Sequence, residues 1–194
     1  MAHDPSTLPT YLPVPSDDGA ADHLPGVEAP SLELPATTGG TLRVDRPPAG
    51  VSRLVLYAYS RTGEPGAEPL RSDWDQIPGA RGCTPQACDF RDHAAELAES
   101  GAAVIGVSTQ HTDYQAEVAA RLSLGFPLLS DACLQFATAL RLPTFEVAGQ
   151  TLLRRLTMIV RHGRMCSTGC ARRSDVWPDA PDSHQWPISA LRWR

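Results

Sequence analysis

Along this chain, short apolar runs alternate with stretches of helical period, and each predicts an element. "SLELPATTGGTLRV" predicts two short strands around a Thr-Thr-Gly-Gly turn. "SRLVLYAYS", Ser52 to Ser60, is a buried-strand run with β-branched and aromatic residues. "AAVIGVS", Ala102 to Ser108, is a second buried strand, and "PLLS" a short third. "TLLRRLTMIV", Thr151 to Val160, predicts one further strand that ends at a His162-Gly163 turn. Between these runs lie three helical stretches. In the first, Thr84 is placed to N-cap, Pro85 suits the first helical position, and Ala87, Phe90, Ala94 and Leu97 share an apolar face up to the stop at Gly101. "DYQAEVAARLSL", closed by Gly125, and "CLQFATAL" are the other two. Strand and helix in alternation imply an α/β fold with a mainly parallel sheet and helices on both faces.

The 194 residues suffice for one domain with tails, and 42% hydrophobic content makes most of the chain globular. Residues 1–26 are rich in Pro, Asp and Ser without a period, and read as a flexible arm. Residues 27–165 carry the patterned elements. Residues 166–194, with prolines and scattered tryptophans, read as a poorly ordered tail. A net charge of -5 argues against a nucleic-acid partner, which would need a basic patch. The N-terminus has no basic and apolar signal pattern, and no run of about 18 apolar residues occurs, so a cytoplasmic protein without a membrane span is expected. Five cysteines, an odd number, argue against a disulfide framework and towards redox or metal chemistry.

Two of those cysteines stand in "RGCTPQACDFRD", at the end of a long unpatterned loop from Arg61 to Gly82. A loop this long inside a domain is usually functional. Cys83 lies at the expected helix start, where unpaired N–H groups and the helix dipole favour a thiolate, the reactive form of the residue. Arg81 is adjacent and adds positive charge. Cys88 is five residues on. Five residues of helix rise about 7.5 Å, whereas a disulfide needs Cα atoms roughly 4.4–6.8 Å apart. The two can therefore pair only if the first turn unwinds. Two unrelated cysteines packing as small hydrophobes would show the same spacing. A metal set with His93 is disfavoured, because Cys83, Cys88 and His93 do not share one helix face.

"GCTPQACDFRD", followed by "GAAVIGVST" and "FPLLSD", resembles the bacterioferritin-comigratory-protein branch of the peroxiredoxins, in the AhpC/TSA superfamily. The resemblance covers roughly residues 26 to 165. It implies a thioredoxin-like fold with a central mixed sheet flanked by helices. It further implies reduction of hydrogen peroxide and organic hydroperoxides, with Cys83 peroxidatic and Cys88 resolving. The family also uses a strand arginine to activate the thiolate and hold the peroxide. "RRLTMIVRHGR" resembles that strand and places Arg155 in the role. By strand alternation, Arg155, Thr157 and Ile159 share a face and Arg154 points away. The implied partners are a peroxide and thioredoxin or a similar dithiol reductant, acting on a monomer or homodimer. No metal, flavin or nicotinamide site is expected.

The family motif runs proline, three residues, threonine, two residues, reactive cysteine. Counting back from Cys83 gives Gln76 and Ala80; counting forward from the strand gives Ser60 and Glu64. The long loop splits the motif, with "YSRTGEPG" resembling its first half and "IPGARGCT" its second. The threonine hydroxyl that would bond the thiolate is missing. Thr62 and Thr84 are the candidate substitutes, each equally readable as a turn or cap residue. Cys133 reads as a packing residue of its helix, while Cys166 and Cys170 fall in the atypical tail. The activity expected is a thioredoxin-dependent peroxidase. The alternatives are a redox sensor or interaction protein without turnover, and a protein thiol–disulfide oxidoreductase. The last usually carries C-x-x-C, which this chain lacks.

Overall fold

Strand β3 (Arg53–Ala58) has apolar side chains on both sides of its pleat, and these divide the core in two. Leu54, Leu56 and Ala58 point to one face of the sheet, Val55 and Tyr57 to the other. A strand buried on both faces needs cover on both, which explains the continuous hydrophobic run in the sequence. The computed structural model describes residues 11–13 and 17–169. After the hairpin of β1 (Glu33–Pro35) and β2 (Thr41–Arg43) and then β3, the chain forms α1 (Cys83–Asp92), α2 (Ala94–Glu99), β4 (Ala102–Ser108), α3 (Thr112–Arg121), β5 (Leu128–Ser130) and α4 (Gln135–Leu140). It continues through the hairpin of β6 (Thr144–Val147) and β7 (Gln150–Leu153) to β8 (Leu156–Arg161) and β9 (Arg164–Gly169).

The main sheet has the order β5-β4-β3-β8-β9. β3, β4 and β5 are parallel, whereas β8 is antiparallel to β3 and β9 antiparallel to β8. The sheet is thus mixed rather than mainly parallel. A parallel neighbour requires a crossover helix, and the chain enters β8 directly from the β6–β7 hairpin. One face is covered by α1, α2 and α3 through Phe90, Leu97 and Val118. The other is covered by α4, the β1–β2 hairpin and the N-terminal segment, through Phe136, Leu140, Leu34 and Leu24.

Several expectations change. The arm expected over residues 1–26 does not extend to 26: Leu24 is fully buried in the core, and His23 Nε2 donates to the Leu140 carbonyl at 2.9 Å. A leucine with a place in the core outweighs local loop composition. The domain also continues past 165, because β9 pairs with β8 around the His162-Gly163 turn, where both residues have positive φ. Residues 170–194, Cys170 among them, lie outside the described residues. The single strand expected over Thr151–Val160 is two, β7 and β8, interrupted at Arg154 and Arg155. The helix expected to start at Pro85 behind a Thr84 cap begins two residues earlier, at Cys83, with Gly82 as its N-cap, and is interrupted at His93. Cys133 precedes α4 and is exposed, so it does not pack in the core.

Candidate active site

Cys83 is the first residue of α1 and is buried. Three features of the sequence hold it there. Gly82, the N-cap, has φ 104°, a left-handed conformation that favours glycine and lets the chain turn sharply from the loop into the helix. Phe90, two turns on, stacks on Tyr57 of β3 with ring centroids 4.5 Å apart and fastens α1 to the sheet. The long loop before Gly82 carries its own apolar anchor. Trp74 and Ala80 are buried with Val147 and Leu152 of the β6–β7 hairpin, so the loop is docked rather than loose.

The thiol meets a hydroxyl. Ser60 Oγ lies 3.2 Å from Cys83 Sγ and also donates to the Ala80 carbonyl at 3.2 Å. Ser60 is fully buried, and the Ala80 carbonyl is 3.9 Å from Sγ. The two candidate threonines behave differently. Thr62 turns to Gln110, donating to its Oε1 at 3.1 Å from the hydroxyl and 3.0 Å from the backbone N–H. Thr84 is buried in the first turn of α1, next to Cys83 in sequence.

Arg155 comes against the same turn from the other side. It sits in the step between β7 and β8, and its Nη1 is so close to Gly82 that a Cβ there would lie 2.8 Å away. Its neighbour Arg154 points outward to an ion pair with Asp18 at 2.6 Å. The two arginines point in different directions, and neither lies within a strand, where the alternation argument had placed them. Arg81 bonds Asp75 in the long loop at 3.1 Å, so its charge is shared with a carboxylate.

Cys88 is half-buried further along α1. Burial pushes its thiol above the ordinary value of 9.0; Arg91 pulls it down and Asp92 pushes it up again. Burial also holds the phenols of Tyr57 and Tyr59 in the neutral form, so they put no negative charge beside the sulfur of Cys83. The described cysteines Cys83, Cys88, Cys133 and Cys166 are not in disulfides with one another. Among the described residues no helix is long and apolar enough to cross a membrane.

Ser60 is the site residue that sequence reasoning passed over. It was legible only as the residue standing where the motif has proline. Its signal was a hydroxyl at the C-terminal end of the central strand, which in a parallel β–loop–α unit points at the start of the next helix. Gly82 carried a plainer signal, a glycine immediately before a helix start.

A buried cysteine at a helix N-terminus, a hydroxyl on its sulfur and an arginine behind its turn form the candidate site on a mixed α/β sheet. A family model described as Redoxin matches residues 24–173, and the chain belongs to that family. Its curated relatives include peroxiredoxins of the Bcp type, in agreement with the resemblance carried by "GCTPQACDFRD". The peroxiredoxin Bcp of Bacillus subtilis is 33% identical over 106 residues, 55% of this chain and 56% of that protein. A putative peroxiredoxin of Mycobacterium tuberculosis is 31% identical over 115 residues, 59% of this chain and 62% of that protein. The matches thus span less than two thirds of these relatives' length. Among solved structures, peroxidoxin BcpB of Mycobacterium tuberculosis gives a TM-score of 0.56 at 28% identity, over 73% of this chain and 81% of that one. The bacterioferritin comigratory protein of Xanthomonas campestris gives 0.53 at 21% identity, over 82% and 85%. At the latter identity the likeness concerns the fold, which is thioredoxin-like.

Proposed function

We propose that the chain is a thiol-dependent peroxidase acting on hydrogen peroxide and organic hydroperoxides. The observation that carries this reading is the placement of Cys83: the first residue of α1, buried, with Ser60 on its sulfur and Arg155 against the preceding residue. The Cys83 thiolate attacks one peroxide oxygen. An S–O bond forms and the O–O bond breaks. The sulfur is oxidised to a sulfenic acid, and the leaving alkoxide or hydroxide takes a proton to depart as alcohol or water. The Arg155 guanidinium supplies a fixed positive charge for the thiolate and for the oxygen on which charge develops. Cys88 then attacks the sulfenic sulfur; an S–S bond forms and water leaves. A dithiol such as thioredoxin reduces the disulfide by exchange in a reducing compartment such as the cytoplasm.

Stopped-flow mixing of the reduced protein with hydrogen peroxide tests the reading. A burst that consumes about one equivalent of peroxide per chain is expected, with sulfenic acid or disulfide at Cys83. The Cys83→Ser variant should show no burst. A burst of equal size in that variant, or its absence in the unmodified protein, overturns the reading.

A further inference from the structure

The motif threonine is absent, yet the sulfur does not lack a hydroxyl. We infer that Ser60, standing in the place of the motif's proline, is a catalytic residue that donates its hydroxyl hydrogen to the Cys83 thiolate. This deepens the peroxidase reading and rests on it for its function, though not for its test.

The geometry offers the Ser60 hydroxyl two acceptors and one hydrogen to give. Both the Ala80 carbonyl and Cys83 Sγ lie 3.2 Å from Oγ. While Cys83 is a thiol, it can donate to Ser60 Oγ, and Ser60 donates onward to Ala80. When the thiol loses its proton, Sγ can only accept. The Ser60 hydroxyl then rotates from the Ala80 carbonyl to the sulfur, because a hydrogen bond to an ion is about twice as strong as one between neutral groups. Burial sharpens the choice. Ser60 is 0% exposed and Cys83 2%, so water is a poor competitor for either group. The candidate threonines are placed otherwise: Thr62 is committed to Gln110, and Thr84 is buried in the first turn of α1.

The long loop makes the contact. Ser60 follows β3 and lies on the sheet, whereas Ala80 and Cys83 return to it only after the 61–82 excursion. In the family pattern a single short segment carries the hydroxyl and the cysteine. Here the strand end supplies the hydroxyl and the docked loop brings the cysteine back to it.

The test reads the thiolate directly. Site-resolved iodoacetamide alkylation of Cys83, followed against pH in the reduced protein, reports the fraction ionised and needs no peroxide. Loss of the hydroxyl in Ser60→Ala should move that profile to higher pH by about one unit, the size expected of one charge-assisted hydrogen bond partly offset by the Ala80 bond given up. Peroxide oxidation near neutral pH should fall about tenfold and recover at high pH, where the thiolate is complete without help. Ser60→Thr, which keeps a hydroxyl, should restore the profile. If Ser60→Ala does not fold, as judged by circular dichroism, Ser60→Gly serves the same comparison. An unmoved alkylation profile in the folded hydroxyl-free variant overturns the inference, as does a shift produced instead by Thr62→Val or Thr84→Val. Alkylation that shifts in a protein with no peroxide burst would keep the Ser60 contact and sink the peroxidase reading.

Discussion

The guanidinium of Arg155 stands against the Cα of Gly82, with Nη1 2.8 Å from where a Cβ would be. The residue before Cys83 is therefore a glycine for two reasons, its φ of 104° and the space the arginine takes. Gly82→Ala should displace Arg155 and strain the turn. The expected result is a loss of about 1–3 kcal/mol in stability, together with a peroxide oxidation step slowed at least several-fold. Chemical denaturation and stopped-flow oxidation measure the two. An unchanged oxidation rate would separate Arg155 from the thiolate.

Arg155→Ala should slow the peroxide step much more than Arg154→Ala. Arg154 is engaged with Asp18 at the surface, where the ion pair is exposed and screened. Resolution by Cys88 should be little changed in either variant. Equal slowing by the two would show that the effect is one of net charge rather than of position.

Oxidation should melt the start of α1. Cys83 and Cys88 both lie within this helix, and its rise of about 1.5 Å per residue holds their Cα atoms further apart than a disulfide permits. Amide hydrogen exchange should show Ala87 to Phe90 protected in the reduced protein and exposed after one equivalent of peroxide, with β4 unchanged. A dithiol should restore protection. If peptide mapping finds Cys83 bridged to Cys133, Cys166 or Cys170 instead, Cys88 is not the resolving residue.

The Cys88 thiol has a pH signature of its own. Burial raises its folded-state value above the ordinary 9.0. A group raised on folding contributes stability that is fully present below its unfolded value and is lost as pH rises through the folded value. The reduced protein should therefore lose stability relative to Cys88→Ser as pH is raised past about 9. Urea midpoints across that range measure it, and a constant difference would show that Cys88 titrates alike in both states. The same protonation slows resolution at neutral pH, so disulfide formation should accelerate towards alkaline pH.

Trp74 connects the long loop to the site. It is buried with Ala80, whose carbonyl accepts from Ser60. Trp74→Ala should cost about 3 kcal/mol and slow peroxide oxidation as well, because the loop that returns Cys83 to Ser60 loses its anchor. Loss of stability with an unchanged oxidation rate would mean that the loop's docking is independent of the site.

The hydrophobic pattern by itself determined most of the fold's elements, because core burial is strong enough to be written in residue type. Ser52 to Ser60 and Ala102 to Ser108 became β3 and β4, and "GCTPQACDFRD" located the start of α1 and the family. What the pattern could not carry were relations between distant segments. The direction of β8 depends on how the chain reaches it, and a strand's apolar run reads the same in either direction. Leu24 lies in a stretch that is polar and proline-rich, and only the groove formed by other elements makes it a core residue. The continuation of pairing into β9 depends on β8 offering an open edge to a sequence with no strand period of its own. The hydroxyl on Cys83 is the sharpest case. Ser60 and Cys83 are 23 positions apart, and the loop between them has no period to announce where it returns. Spacing along the chain pointed to Thr62 and Thr84, but a hydrogen bond is decided by distance in space, and the loop docked through Trp74 returns Cys83 to Ser60 at the end of the strand.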